Sequence, residues 1–204
     1  VIPVFFPEGR DGALALALLR DNVAAYVQQV DDPARICLSV DGENHGREPA
    51  EELSRAFGVQ AVVAPENRGK LHALRHGMAR LCQRQECRYL AAVDMDGDHF
   101  ANELVNLVRA AQFARGQAGM EEVLVLGRRS SKHRPLGLLR GELEELADRV
   151  LLDALAYDAV LTGEPLRLEC ATALEEYPDF HSGYKLFSRR TAEVVFLSEP
   201  RLCG

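Results

Sequence analysis

Lysine is nearly missing from this chain. It occurs only at Lys70, Lys132 and Lys185 in 204 residues, so arginine carries most of the positive charge. Acidic residues outnumber basic ones and leave a net charge of −7. That balance excludes a general nucleic-acid binder, which needs a basic surface to displace counterions from phosphates. It does not exclude nucleotides, which are held by local features. The five cysteines (37, 82, 87, 170 and 203) include no CxxC pair and are odd in number. Structural zinc and a disulfide framework are therefore not expected, and a reducing cytosolic setting is. No apolar run reaches the ~20 residues that span a bilayer, and no signal-peptide pattern is present. Repeats, low-complexity blocks and long linkers are missing too. The expectation is one domain over residues 1–204, trimmed at both ends, because the chain starts at Val1 inside a strand-like segment.

What is there alternates between strand and helix patterns. Strands are predicted over 1–6, 35–40, 59–64, 89–93 and 122–126. Helices are predicted over 11–30, with Leu14, Leu18 and Leu19 on one apolar face, then over 49–57 and over 67–81. In the last of these, Leu71, Leu74, Met78 and Leu81 fall at near-helical spacing. Further helices are expected over 101–115 and from Gly141 to about Val160. The tail from 169 is mixed, with a short strand over 184–187. Such alternation implies an α/β, mostly parallel central sheet with helices on both faces. The loops after the first, second and fourth strands then share one edge, where open α/β sheets bind ligands. This brings the 7–10 region, Asp41 and residues 94–98 to one crevice.

The densest chemistry is Tyr89-Leu-Ala-Ala-Val-Asp-Met-Asp-Gly-Asp98, where an apolar run ends in Asp94, Asp96 and Asp98. Carboxylates at alternate positions beside a buried strand repel one another unless a cation is shared. Hard oxygen ligands select Mg²⁺ or Mn²⁺, which commonly accompany phosphates. An EF-hand loop fails, because it needs Gly at His99 and Glu at Val105. A haloacid-dehalogenase-like phosphohydrolase, with Asp94 as nucleophile and Asp96 as acid/base, stays open as an alternative. Elsewhere, Asp41-Gly42 reads as a turn or as a ribose or base contact. Asn67-Arg-Gly-Lys70 reads as a helix N-cap, with Asn67 capping, beside basic residues suited to an anion.

In order along the chain stand Ile2-Pro-Val4, Val40-Asp41-Gly42, Asn67-Arg-Gly-Lys70, Val93-Asp-Met-Asp96, Gly127-Arg-Arg129 and His181-Ser-Gly-Tyr-Lys-Leu-Phe187. This ordered set resembles the family 2 glycosyltransferases, and within them the dolichyl- or polyprenyl-phosphate sugar synthases. The resemblance implies the GT-A fold, a Rossmann-like nucleotide-diphospho-sugar transferase fold, and an inverting, metal-dependent glycosyltransferase over the whole chain. It implies donor contacts from Pro3, Glu8, Asp41, Arg68, Lys70 and Asp94. A divalent cation (Mg or Mn) falls to Asp94, Asp96 and Asp98. Catalytic roles fall to Asp96, Arg128 and Arg129, and acceptor contacts to Arg140, Ser182 and Lys185. A nucleotide-diphosphate sugar donor and a polyprenyl-phosphate acceptor follow, with work at the cytoplasmic face of a membrane. The sequence departs from the family after the first strand, where Phe5-Phe6-Pro7-Glu8 replaces a polar Tyr-Asn-Glu. It departs again at Asp41-Gly42-Glu43, and at Lys185, which replaces an arginine. These departures keep a third reading open, a non-catalytic nucleotide-sugar-binding domain.

Overall fold

The computed structural model describes residues 1–7, 12–119, 121–166 and 178–198. Three short strands, β1 (Ile2–Val4), β2 (Cys37–Val40) and β3 (Gln60–Val63), pair in parallel in the order β1-β2-β3. Val4 sits beside Val40, and Val40 beside Val63. A second set holds β4 (Tyr89–Ala92), β5 (Leu124–Leu126) and β6 (Lys185–Ser188), with β6 central and antiparallel to both neighbours. The two sets meet at Val1. Its amine donates to the Ala91 carbonyl at 2.7 Å, and its carbonyl accepts from the Val93 amide at 3.1 Å. One residue bonded to both neighbours of its opposite number is the parallel pattern. β4 therefore runs parallel to β1, and the strands follow the order 3-2-1-4-6-5 with β6 alone reversed.

Side-chain alternation along each strand builds two cores. Ile2, Val4, Leu38 and Val40 point to one face and meet α1 (Gly12–Val27) and α2 (Arg47–Phe57) through Leu19, Val23 and Leu53. The same face continues over β4–β6–β5 beneath α4 (Glu103–Ala118), where Leu104 and Leu107 join both clusters. On the other face, Val1, Cys37, Leu90 and Phe187 meet Met78 and Leu81 of α3 (Lys70–Cys82) and Phe196 of the π-helical turn Glu193–Leu197. Each fully buried Leu, Val or Met contributes roughly 1.5–3 kcal/mol of hydrophobic transfer. The α/β class with helices on both faces is as expected from the alternation.

Some details differ from the sequence reading. Leu14 and Leu18 are exposed, and α1 docks instead through Leu19, Val23 and Tyr26. The start of α1 is apolar all round, so periodicity does not single out its inner stripe. Leu71 is also exposed, because the first turn of α3 projects beyond the sheet edge while Leu74, Met78 and Leu81 cover it. Asn67 does not cap α3. Its Oδ1 accepts from the Gly69 amide at 3.1 Å, and the helix begins only at Lys70. Gly69 has φ +92°, a backbone region that disfavours side chains, so the chain turns there before the helix can start. Finally, α5 (His133–Leu136) and α6 (Leu138–Thr162) form an outlying pair, in which only Gly141 and Asp148 of α6 are buried. Among the described residues, no helix is long and apolar enough to cross a membrane. Cys37, Cys82 and Cys87 are free and buried.

Candidate functional site

Parallel strands that end together leave a notch at their C-terminal edge, and here the notch is a pocket of about 310 Å³. β1 contributes Pro3, Val4 and the following Phe5, and the end of β2 contributes Asp41. The turn into α3 adds Gly69 and Lys70, and the end of β4 adds Asp94 and Asp96. A larger cavity of about 440 Å³ opens around Tyr26, Cys87, Tyr89 and Val108, at the opposite ends of β2 and β4. It includes none of the acidic residues at the strand ends.

Asp41 is buried, with both oxygens committed. Oδ1 accepts from the Arg68 amide at 2.9 Å and Oδ2 from the Gly69 amide at 2.8 Å. Its immediate work is thus to hold the turn that delivers Lys70. Gly42, at φ +96°, makes the close approach possible, since a Cβ there would lie 3.0 Å from the Asn67 amide. Asp41 thus both holds the turn before α3 and lines the pocket.

Asp94 is the electrostatic centre. Asn22, buried on α1, donates to its carbonyl at 2.9 Å and fixes the strand end. One side-chain oxygen is bonded to Lys70. The other lies 3.8 Å from His99 Nε2, beyond hydrogen-bond reach, so His99 acts there by charge alone when protonated. Burial pushes the Asp94 carboxyl up, but His99 and Lys70 outweigh it and hold the group down at about 2. Gly183 closes the same side, because a Cβ there would meet Asp94 Oδ2 at 2.1 Å. Lys185 Nζ donates to the Ser182 carbonyl. Burial lowers its pKa first, and neighbouring Lys70 lowers it further, against Asp94 and Asp179, which raise it.

Asp96 and Asp98 are exposed, and the Asp98 amide donates to Asp96 Oδ1 at 3.3 Å. The three acidic side chains at 94, 96 and 98 do not draw together. Among the described residues, the trio of metal-ligating groups that converges within 4.8 Å is His133, Glu142 and Glu145, at the α5–α6 turn. Of the three carboxylates predicted to share an ion, Asp94 and Asp96 line the pocket, and a carboxylate is the hard oxygen donor that Mg²⁺ or Mn²⁺ takes.

A second charged group stands behind the pocket. Arg129 donates to Asp179 Oδ2 at 2.8 Å and to Asp179 Oδ1 at 2.7 Å, and reaches Glu144 at 2.8 Å. Bonds to Asp179 push its pKa up and hold the Asp179 carboxyl low against burial. Lys132 pairs with Asp148, which is fully buried. Asp148 Oδ1 also accepts from the Phe180 amide at 3.0 Å and lies 2.8 Å from His181 Nδ1. Residues 179–183 are thereby tied to α6, and Gly183 is set against Asp94. Ser182 is buried and accepts from the Tyr184 amide at 3.2 Å. Arg140 is exposed and pairs with Glu144 at 3.2 Å, and Arg128 is exposed at the end of β5. Arg68 is exposed and pairs with Glu66 at 3.0 Å. Glu8 lies outside the described residues.

The structure thus brings together Pro3, Asp41, Lys70, Asp94 and Asp96, and sets Lys185 beside them. Arg129 and Arg140 gather instead on Glu144. Sequence reasoning missed Lys132, Glu144 and Asp148. Their signal was faint: Glu144 and Asp148 sit four apart with Gly141 on one stripe of α6, a polar stripe that turns inward. No protein-family model matches the chain, and no curated protein matches it.

Proposed function

We propose that this chain is an inverting glycosyltransferase that takes its sugar from a nucleotide-diphosphate donor. The observation that carries the reading is a single pocket lined by Asp41, Lys70, Asp94 and Asp96 at the C-terminal edge of parallel strands. Crevices of this kind, at the C-terminal edge of parallel strands, suit nucleotides. In this reading the diphosphate lies toward Lys70 and the start of α3, where a cation and a helix start both favour an anion. The nucleoside lies along Pro3–Phe5 and Asp41. Asp96 would hold Mg²⁺ or Mn²⁺ together with the donor, and such an ion would supply positive charge for the leaving diphosphate.

Lys70 exchanges its Asp94 partner for phosphate as the donor enters, which frees Asp94 for the ribose or the ion. The acceptor approaches beside Lys185 and Ser182. Its oxygen forms a bond to the anomeric carbon as the bond to the diphosphate breaks, with inversion. A phosphate acceptor, such as a polyprenyl phosphate, is ionised at neutral pH, so the site needs cations more than a base. Lys185, Arg128 and Arg140 supply them. Arg129, bonded to Asp179 and Glu144, braces this wall. A lipid acceptor would bring the chain to the cytoplasmic surface of a membrane. The phosphohydrolase reading asks Asp94 to attack phosphorus. It predicts free phosphate as the product, where the transferase reading predicts a nucleoside diphosphate.

Calorimetric titration with a panel of nucleoside diphosphates and their sugars, with and without Mn²⁺, tests the reading. The expected outcome is Mn²⁺-dependent binding that Asp96→Ala abolishes. Absence of nucleotide binding with metal present, together with release of free phosphate from small phosphomonoesters, overturns it.

A further inference from the structure

The turn between α5 and α6 gathers an imidazole and two carboxylates away from the pocket. His133 opens α5, and Glu142 and Glu145 stand three apart on α6, so they are neighbours on its surface. One ligand atom from each of the three lies within 4.8 Å of the other two. His133 Nε2 is already 3.0 Å from Glu142 Oε1. Two donors on one tetrahedral zinc lie about 3.4 Å apart, since each bond is about 2.0–2.2 Å. The widest pair therefore has at most about 1.4 Å to close, which a partly exposed glutamate covers by turning its side chain. A separate observation fixes the imidazole in place. Gly141 is buried inside α6, where glycine weakens a helix relative to alanine. A Cβ there would lie 2.6 Å from His133 Cδ2 and 3.1 Å from Cγ. The glycine is what lets the ring lie on the helix beside Glu142.

Charge and ligand chemistry choose the ion. Glu142 and Glu145 repel each other at this spacing. His133 answers Glu142, while Glu145 has Arg149 at 4.0 Å, a loose contact between partly exposed groups that contributes little. Magnesium and calcium take oxygen ligands, whereas an imidazole among carboxylates suits zinc. We propose that His133, Glu142 and Glu145 bind a zinc ion, with water as its fourth ligand. His133 Nε2 donates to a carboxylate, which only accepts, so zinc takes the place of that proton. Lys132–Asp148 and Arg129–Glu144 already fasten the segment after β5 to α6, and zinc fastens it a third time. Its hold on that segment follows the free zinc concentration by mass action. The site shares no residue with the pocket, so it is independent of the glycosyl-transfer reading.

Calorimetric titration of the whole chain with zinc chloride, up to about 100 µM free zinc, tests the proposal. His133→Ala is expected to raise the dissociation constant of one zinc per chain at least tenfold, as are Glu142→Gln and Glu145→Gln. Gly141→Ala keeps all three ligands but drives the ring off the helix, and is expected to weaken zinc by a similar factor. Asp96→Ala, in the pocket, is expected to leave this affinity unchanged. Cobalt(II) in place of zinc is expected to absorb in the visible without the near-ultraviolet band of a thiolate ligand. Circular dichroism checks that each variant keeps its helix content. A native chain that binds no zinc in this range overturns the proposal. Zinc binding indifferent to His133→Ala and Gly141→Ala, zinc lost instead in Asp96→Ala, or a thiolate band also overturns it.

Discussion

Gly183 stands so close to Asp94 that any Cβ would come within 2.1 Å of Oδ2 and 2.9 Å of His99 Nε2. The backbone of one segment is thus fitted to the side chain of the central carboxylate. Gly183→Ala is expected to push Asp94 off Lys70 and to weaken nucleotide binding at least tenfold. It should cost on the order of 1–3 kcal/mol of stability, as overpacking does. Urea unfolding beside calorimetric titration measures both, and unchanged binding would show that Asp94 has room to move.

Acid stability follows from the same carboxylate. The Asp94 pKa falls from an ordinary 3.8 to about 2 in the folded chain. A group depressed on folding stabilises above its unfolded pKa, and that contribution is lost as pH falls through the folded value. The window is therefore about pH 4 down to about pH 2. Such a shift corresponds to roughly 2 kcal/mol, reduced to about 1 kcal/mol because Lys70 is half exposed. Urea titrations across the window should show a shallower pH dependence for Asp94→Asn than for the native chain.

Asp41 predicts a different failure. Asp41→Ala removes the acceptor of the Arg68 amide and leaves the Gly69 amide with Asn67 Oδ1 alone, at about 0.5–1.5 kcal/mol for each hydrogen bond lost. The turn carrying Lys70 loosens with them. Amide exchange at residues 68 and 69 should accelerate by more than tenfold, ahead of any change in the strands.

The Lys132–Asp148 pair tests how the acceptor wall is built. Removing one member of a buried pair strands the other charge, at about 3–5 kcal/mol. Asp148→Leu and Lys132→Met should each destabilise by that order, and the double variant by less than their sum. A double-mutant cycle read by denaturant midpoint measures the coupling.

The sheet and its ligand edge were legible because alternation and apolar runs are local properties. Tyr89–Ala92 reads as a strand from its residues alone, and Asp94 and Asp96 follow directly. The insertion of β6 between β4 and β5 was not legible, because it depends on a pairing 65 residues distant, in which the Val123 amide donates to Ser188. The helix start at Lys70 was misplaced because Asn67 looks like a cap, while the positive φ of Gly69 that delays the helix is a property of the folded turn. Nothing in the helix sequence sets Glu144 and Asp148 apart from its other charges. Only the return of residues 179–181 to α6 turns them inward.

The scarcity of lysine has one last consequence. Lys132 is buried with Asp148, Lys185 is tucked against the Ser182 carbonyl, and Lys70 stands at the mouth of the pocket with about half its side chain in solvent. Among the three lysines of this sequence, an amine-selective acylating reagent therefore meets Lys70 as the most exposed side-chain ammonium. Its labelling rate at Lys70 becomes a direct optical or mass-spectrometric gauge of whether the pocket is filled, with no engineered probe.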